Sequence, residues 1–148
     1  MTRKYLWEDN MNKYEHYNHE KYKIRYHIIL SVKYHRKLLA PIIDDLKSSI
    51  RRAEQLTTHW KVEYVETDIQ KRKDHHLHLL VKAKPQIAPY KIIHSIKQIT
   101  TYDMWKHHYN YLRRFFWKQH HLWTRGYFCS TVGDVSENTL KEYIEKQG

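Results

Sequence analysis

The stretch HHLHLLVKA, residues 75–83, decides the fold that this sequence predicts. Its run of leucine and valine predicts a β-strand that ends before Pro85. Because successive side chains of a strand point to opposite faces, His76 and His78 share one face. Two imidazoles there occupy surface that a purely structural strand would give to apolar side chains.

The segments on either side of this strand alternate between strand and helix patterns. Further strands are predicted over residues 23–33, 60–69 and 121–132, and helices from Pro41, over about 90–105, over 107–119 and over 136–147. This order predicts an α+β fold, in which an antiparallel sheet carries its helices mainly on one face. Residues 1–21 are expected to form a loosely ordered extension, and residues 22–148 a single domain.

Apolar side chains recur at the spacing that each element would bury. On the helices they are Ile42, Leu46, Ile50 and Ala53, followed by Ile92, Ile93, Ile96 and Ile99. On the strands the expected inward residues are Val62, Tyr64 and Ile69, followed by Trp123, Tyr127 and Phe128. The single cysteine, Cys129, is expected to be a packing residue of a protein in the reducing cytoplasm.

The charge balance points to a polyanionic partner. The formal net charge of the 148 residues is +11, which favours nucleic acid, and no long apolar run suggests a membrane span. Thirteen tyrosines and five tryptophans, interleaved with Lys and Arg, suit the stacking of unpaired bases, although many of these rings would also fill a core.

The last predicted helix adds a second pair of chemically useful side chains. Tyr143 and Gln147 are four residues apart and therefore share a helical face. Together with His76 and His78 they would supply a phenol and the ligands for a metal ion. The competing interpretation is a core tyrosine, a frayed terminal glutamine and two surface histidines.

Four stretches together resemble one protein family. They are residues 26–37 (YHIILSVKYHRK), 76–80 (HLHLL), 122–133 (LWTRGYFCSTVG) and 143–147 (YIEKQ). The chain resembles the single-tyrosine transposases (TnpA) of small insertion sequences, which belong to the histidine-hydrophobic-histidine, or HUH, nucleases. The resemblance covers roughly residues 22–147 and implies a ferredoxin-like HUH nuclease fold, followed by a C-terminal catalytic helix.

The resemblance implies a specific reaction. Members of this family cut and rejoin single-stranded DNA at the ends of their element, where they recognise hairpins, and pass through a 5′-phosphotyrosine intermediate. By motif match, Tyr143 would be the nucleophile, and His76, His78 and Gln147 would bind a divalent metal, Mg²⁺ or Mn²⁺. The family is dimeric, and the final helix of one subunit completes the active site of the other.

One departure from the family pattern concerns the residues before the histidine pair. The family often has an acidic residue directly before it, whereas this chain has His75 there and Asp74 one position earlier. The group that orients the ligating imidazoles therefore stays open, and His75 is an alternative ligand.

Basic and aromatic residues are candidates for DNA contacts. The proposed DNA-binding residues are Lys33, Tyr34, Arg36 and Lys37 after the first strand, Arg51 and Arg52 on the first helix, and Arg125. Two other functions remain open beside transposition: a non-catalytic module that binds single-stranded or hairpin nucleic acid, and the same nuclease chemistry used in replication initiation or in processing of host repeats.

Overall fold

A four-stranded antiparallel sheet forms the centre of the fold. The computed structural model describes residues 15–17, 20–68 and 73–133. The strands are β1 (Glu15–Tyr17), β2 (Glu20–Tyr22), β3 (Ile24–Ser31), β4 (Trp60–Asp68), β5 (Lys73–Ala83) and β6 (Phe128–Thr131). The main sheet has the order β4-β5-β3-β6, and β1 pairs with β2 in a separate two-stranded ladder.

Two long helices pack on one face of this sheet. They are α1 (Ile43–Gln55), preceded by a 3-10 turn at Ala40–Ile42, and α2 (Pro89–His107); a short helix, α3 (Tyr109–Leu112), follows. The core joins these helices to alternate residues of β3 and β5: Ile28, Leu30, Leu77, Leu79, Val81, Ile42, Leu46, Ile50, Ala53, Ile92, Ile93 and Ile96. The predicted α+β class, with helices mainly on one face, is confirmed, and so are the apolar stripes of both helices.

A β-bulge in β4 reverses which of its side chains face the helices. Val62 pairs with Val81 on the helical face, but Tyr64 pairs with Leu80 on the other face because the register shifts between Val62 and Tyr64. The prediction that Tyr64 faces inward beside Val62 is therefore wrong. The bulge residue, Glu63, forms a buried ion pair with Arg25, with 2.9 Å between Oε1 and Nε.

The segment before β6 departs from the predicted strand. Of residues 121–132, only Phe128–Thr131 form a strand, and Trp123 makes an isolated bridge to Val32. Lys97 on α2 donates hydrogen bonds to the carbonyl oxygens of Thr124, Arg125 and Gly126, which holds this segment as a loop. Trp123 is buried as predicted.

Tyr127 and Phe128 do not belong to the core. They are 46% and 44% exposed, so their assignment as core residues is wrong. Cys129 lies on β6 and is partly buried against the core, and burial raises the pKa of its thiol. This agrees with a packing role rather than a reactive one.

The predicted helix over residues 107–119 is mostly absent. Helix α2 ends at His107, since His108 leaves helical geometry at φ −130° and ψ 38°. The aromatic residues that follow are fixed by tertiary contacts instead: the Tyr111 hydroxyl donates to the Leu38 carbonyl, and the His120 ring stacks on Trp105. These contacts override helix propensity after Leu112.

The structure describes part of the N-terminal extension but not residues 134–148, so the predictions for the two ends of the chain have different outcomes. Strands β1 and β2 show that part of the N-terminal extension is ordered into a ladder. The predicted helix over 136–147, with Tyr143 and Gln147, and the predicted inward residue Ile69 lie outside the described residues. Within the described ranges, no helix is both long and apolar enough to cross a membrane.

Candidate active site

His76 and His78 lie together with a carboxylate on the sheet face away from α1 and α2. Their positions follow from the strand register, in which Ser31 pairs with His76 and Ile29 with His78. Oδ2 of Asp68 lies 3.2 Å from Nδ1 of His76 and 3.2 Å from Nε2 of His78. The two histidines therefore share a face as predicted, and Asp68 on β4 joins them.

The bulge at Glu63 explains why Asp68 reaches these histidines. Glu66 pairs with His78 only after the register shift, and Asp68 shares its face with Glu66 because strand side chains alternate. Without the extra residue, Asp68 would face the helices. The buried pair between Arg25 and Glu63 stabilises that bulge. A feature five residues away along the strand, about 16 Å at roughly 3.3 Å per residue, therefore sets the position of Asp68.

The three side chains offer a donor set that suits a divalent metal ion. One nitrogen each of His76 and His78 and a carboxylate oxygen of Asp68 lie within 4.8 Å of one another. Asp68 and His78 are buried, with side chains 5% and 1% exposed, whereas the side chain of His76 is 25% exposed. Imidazole and carboxylate together fit Mn²⁺ or Zn²⁺ well, and carboxylate also fits Mg²⁺.

Behind His78 lies a further histidine, His27 on β3. Its Nε2 is 3.4 Å from Nδ1 of His78, and the two rings stack with centroids 5.7 Å apart. Burial, and secondarily the charge on His78, lowers the pKa of His27 to about 4, so His27 is neutral at pH 7. A neutral His27 is able to accept a hydrogen bond from His78, which would fix the orientation of the His78 ring.

A third histidine of β5, His75, faces a different neighbour. Its ring centroid lies 4.1 Å from that of His76 and 5.3 Å from that of His35. Burial, followed by the nearby imidazoles of His76 and His35, lowers the pKa of His75. The charge of Asp68 opposes this shift, and the side chain of Asp74 is not among the described ones.

The first group of DNA-binding candidates borders this site. Lys33 and Tyr34 belong to the 3-10 turn Lys33–His35 that follows β3, and Tyr34, Arg36 and Lys37 are exposed. His35 in the same turn contacts the His75 and His76 rings. Through His35, this turn therefore lies beside the exposed edge of His76.

The remaining DNA-binding candidates lie elsewhere. Arg51 and Arg52 are on α1, on the far side of the sheet from His76, and Arg52 makes a bidentate pair with Asp103 at 2.6 and 2.9 Å. Arg125 is exposed in the loop that Lys97 holds. The structure thus places His35 of the Lys33–Lys37 segment beside the histidine rings, whereas Arg51 and Arg52 lie on the other side of the sheet.

Tyr127 is separated from the histidine pair. Lys97 of α2 has its Nζ 5.6 Å from the centre of the Tyr127 ring, on the helical side of the sheet. Tyr143 and Gln147, the predicted nucleophile and third ligand, lie outside the described residues. Tyr127 therefore lies on the opposite side of the sheet from the histidine pair.

Sequence reasoning missed Asp68 and His27. The signal for His27 was available, because it alternates with Ile28 and Leu30 on the predicted first strand and so faces away from the core. Asp68 carried no such signal, since an unbroken alternation from Val62 assigns it to the helical face. The register shift between Val62 and Tyr64 reverses this assignment, and a second irregularity lies between Thr67 and Asp68.

Comparisons with known proteins agree on one family. Residues 20–147 match the family described as transposase IS200 like. The chain is 28% identical over 127 residues to the ISDra2 transposase TnpA of Deinococcus radiodurans, and the alignment covers 85% of each protein.

Two solved structures share the fold. A crystal structure of a Deinococcus radiodurans R1 protein assigned as a transposase matches with a TM-score of 0.69 at 24% identity, over 90% of this chain and 97% of that one. A REP-associated tyrosine transposase bound to a REP hairpin matches with a TM-score of 0.55 at 10% identity, over 88% of this chain and 68% of that one. These two likenesses show the shared fold, and the match of residues 20–147 establishes that the chain belongs to the IS200-like transposase family.

Proposed function

We propose that this protein cleaves and rejoins single-stranded DNA at the ends of an insertion sequence through a 5′-phosphotyrosine on Tyr143. The observation that carries the proposal is the convergence of Asp68, His76 and His78 in a chain that belongs to a transposase family. The proposal takes Tyr143 as the nucleophile and Gln147 as a further ligand from the motif match in sequence.

A divalent ion held by Asp68, His76 and His78, together with Gln147, would polarise the scissile phosphate and stabilise its developing charge. The donor set fits such an ion because it combines a buried carboxylate with two imidazoles on a rigid strand pair. His27 would hold the His78 ring in the tautomer that presents Nε2 to the site. Mg²⁺ and Mn²⁺ are the proposed physiological ions.

The chemical step assigned to Tyr143 is an exchange of phosphate esters. Its phenol oxygen attacks phosphorus while its proton passes to solvent, the bond from phosphorus to the 3′ oxygen breaks, and that oxygen leaves as a hydroxyl. A phenol with an ordinary pKa of about 10 is a weak nucleophile, which is why a polarised phosphate is needed. Attack by a second 3′-hydroxyl on the phosphotyrosine reverses the chemistry and joins new partners without ATP.

Recognition of hairpins is proposed from two directions. A structural relative is bound to a hairpin, and the exposed Lys33–Lys37 turn of this chain borders the histidine pair. Tyr34 supplies an exposed ring and Arg36 and Lys37 supply charge, a combination that suits unpaired bases and phosphates. We propose the cytoplasm as the location of this reaction, where the single Cys129 thiol remains reduced.

The principal alternative is a module that binds hairpins and does not cut them. In that case Asp68 would simply share a proton with His76 or His78 as a buried ion pair. The carboxylate and both imidazoles would then serve stability alone, and no divalent ion would alter the fate of bound DNA.

The decisive experiment uses single-stranded DNA from both ends of the element, incubated with the full chain and Mg²⁺ or Mn²⁺. A covalent protein–DNA adduct should form in denaturing gels, disappear with chelator and disappear in Tyr143→Phe. Tyr127→Phe is the matched control, since Tyr127 lies beside Lys97 on the helical side, and it should keep the adduct. An adduct in Tyr143→Phe would overturn the assignment, and salt-sensitive binding without any adduct would favour the alternative.

We further propose a homodimer in which Tyr143 of one subunit serves the histidines of its partner. Mixing two inactive variants, Tyr143→Phe and His78→Gln, tests this arrangement. If the site forms in trans, a mixed dimer has one complete site and activity returns to a fraction of the wild-type level. If it forms in cis, every site lacks one group and the mixture stays inactive.

A further inference from the structure

Three histidines form a second cluster beside the proposed catalytic site. Nitrogen atoms of His35, His75 and His76 lie within 4.8 Å of one another, and the ring centroids of His35 and His76 are 6.5 Å apart. This cluster contains no carboxylate, unlike the one formed by Asp68, His76 and His78. The two clusters have His76 in common.

The backbone at His35 is held in an unfavourable conformation that aims its ring at this cluster. Tyr34 and His35 have φ values of 61° and 52°, in the left-handed region that residues other than glycine adopt in only a few per cent of cases, His more often than Tyr. The turn places the His35 ring edge-on to His75, at an interplanar angle of 89°. A strained pair of residues beside a functional site is a reason to look for a function.

The His75 ring has one nitrogen atom that makes no hydrogen bond to the described residues. Its Nδ1 is buried and has no hydrogen-bond partner among the described residues. A buried polar atom of this kind is uncommon and calls for an explanation such as an ion. The backbone of His75 is fixed, since its carbonyl accepts a hydrogen bond from the Val32 amide at 2.8 Å.

We propose that His35, His75 and His76 form a second metal site, which takes a borderline ion such as Zn²⁺ and competes with the catalytic ion for His76. Three imidazoles favour zinc, cobalt, nickel or copper and disfavour Mg²⁺, which prefers oxygen ligands. Nitrogen atoms bound to one zinc ion at about 2.0–2.1 Å lie roughly 3.3 Å apart, so the cluster would close by up to about 1.5 Å. The exposed His35 turn is the part able to move.

Titration of the full chain with Co²⁺ in the absence of DNA tests this site, because imidazole-bound Co²⁺ in four-coordinate geometry absorbs visible light. Wild-type protein should show this absorption, and His35→Asn should lose at least tenfold in Co²⁺ affinity. Asparagine tolerates the left-handed backbone at this position, so the turn is kept while the imidazole is removed. His75→Gln should have the same effect and covers the case in which His35→Asn disturbs the turn.

Two controls separate this site from the catalytic one. His78→Gln removes a ligand of the Asp68 cluster alone and should keep the Co²⁺ absorption, and His59→Gln changes an exposed histidine elsewhere and should bind as wild type does. Equal affinity of wild type, His35→Asn and His75→Gln would overturn the proposal, as would loss of all binding in His78→Gln. The proposal goes beyond DNA cleavage, and its readout is independent of whether Tyr143 acts as nucleophile.

Discussion

The two faces of β5 place opposite demands on the same strand. Leu77 and Leu79 point towards α1 and α2 and are fully buried in an apolar core. His76 and His78 point the other way, towards Asp68, and His78 is almost equally buried at 1% exposed. One face is stabilised by removal of apolar surface from water. The other face buries polar side chains, which costs stability, and the proposed metal site would use them.

This difference between the two faces of β5 shows how packing on one face supports a rigid site on the other. His78 lies between the core leucines Leu77 and Leu79 along the chain, and His76 directly precedes Leu77, so packing on the opposite face fixes their backbone. Rigid strands hold ligands more accurately than loops do, which limits the reorganisation needed when an ion binds. The comparison predicts that substitutions on one face should change activity with little effect on stability, and that those on the other should do the reverse.

The largest effect is expected from His78→Gln. Loss of one imidazole ligand should lower the rate of adduct formation by about 10²–10³-fold, because the scissile phosphate loses electrostatic stabilisation. The measurement is a time course of covalent adduct with excess single-stranded DNA and Mn²⁺. Circular dichroism should show an unchanged fold, and a rate within threefold of wild type would break the assignment of this face to chemistry.

Leu79→Ala, one residue along, should have the opposite profile. Truncation of a fully buried leucine should lower the free energy of unfolding by about 3 kcal/mol, through lost apolar burial and the cavity that remains. Urea denaturation followed by circular dichroism measures this change. The folded variant should bind Mn²⁺ as wild type does, and a combined loss of stability and of Mn²⁺ affinity would mean that the two faces are coupled.

The buried His27 makes stability depend on pH. Its pKa is about 4 in the folded chain, against an ordinary value of 6.5, so the unfolded chain binds more protons between these values. The stability that neutral His27 allows is therefore complete above pH 6.5 and is lost as the pH falls towards 4. Linkage gives a loss of about 2 kcal/mol between pH 7 and pH 5.

His27→Gln should remove that share of the pH dependence. Denaturation curves for both proteins, recorded with chelator at pH 7 and pH 5, give the free energy of unfolding of each. The contribution of His27 is the change, between these pH values, in the difference between wild type and variant. Wild type should lose about 2 kcal/mol more than the variant over this interval. Parallel curves would show that His27 is not buried in its neutral form.

The sequence predicted one of these faces more completely than the other. Alternation in β5 placed Leu77 and Leu79 in the core and paired His76 with His78, because the side-chain period of a regular strand is fixed at two. The position of Asp68 was not predicted because the bulge at Glu63 interrupts that period. This bulge is stabilised by a tertiary contact, the ion pair with Arg25. Local patterns carry no information on such contacts.

The segment before β6 is a second case in which a distant contact overrides the local sequence pattern. Tyr127, just before β6, and Phe128, the first residue of β6, have the composition of a core strand, yet both are exposed. Lys97, thirty residues earlier on α2, captures three successive carbonyl oxygens that a continued strand would use in its ladder. Hydrogen bonding from a distant helix thus decided the conformation of this segment, against its β-propensity.

The smallest effect is expected from substitution of single basic residues. These substitutions test whether bound DNA lies along the sheet face that carries His76 and His78. Lys37 is exposed in the turn beside His75, whereas Arg52 is held by Asp103 on the helical side. If DNA lies along the histidine face, Lys37→Gln should reduce the slope of log affinity against log salt concentration by about 0.7, the value for one phosphate contact with a single strand. Arg52→Gln should change the slope by less than half as much.

Fluorescence anisotropy with a labelled hairpin, at four or more salt concentrations and with chelator to prevent cleavage, measures both slopes. Arg52 and Lys37 carry the same charge, so a difference between the two variants reports their position relative to the DNA. Equal reductions would mean that DNA also crosses α1, and the division between a helical face for stability and a histidine face for DNA would no longer hold. A reduction for Lys37 alone would confine the DNA path to the edge of the sheet where His76 is exposed.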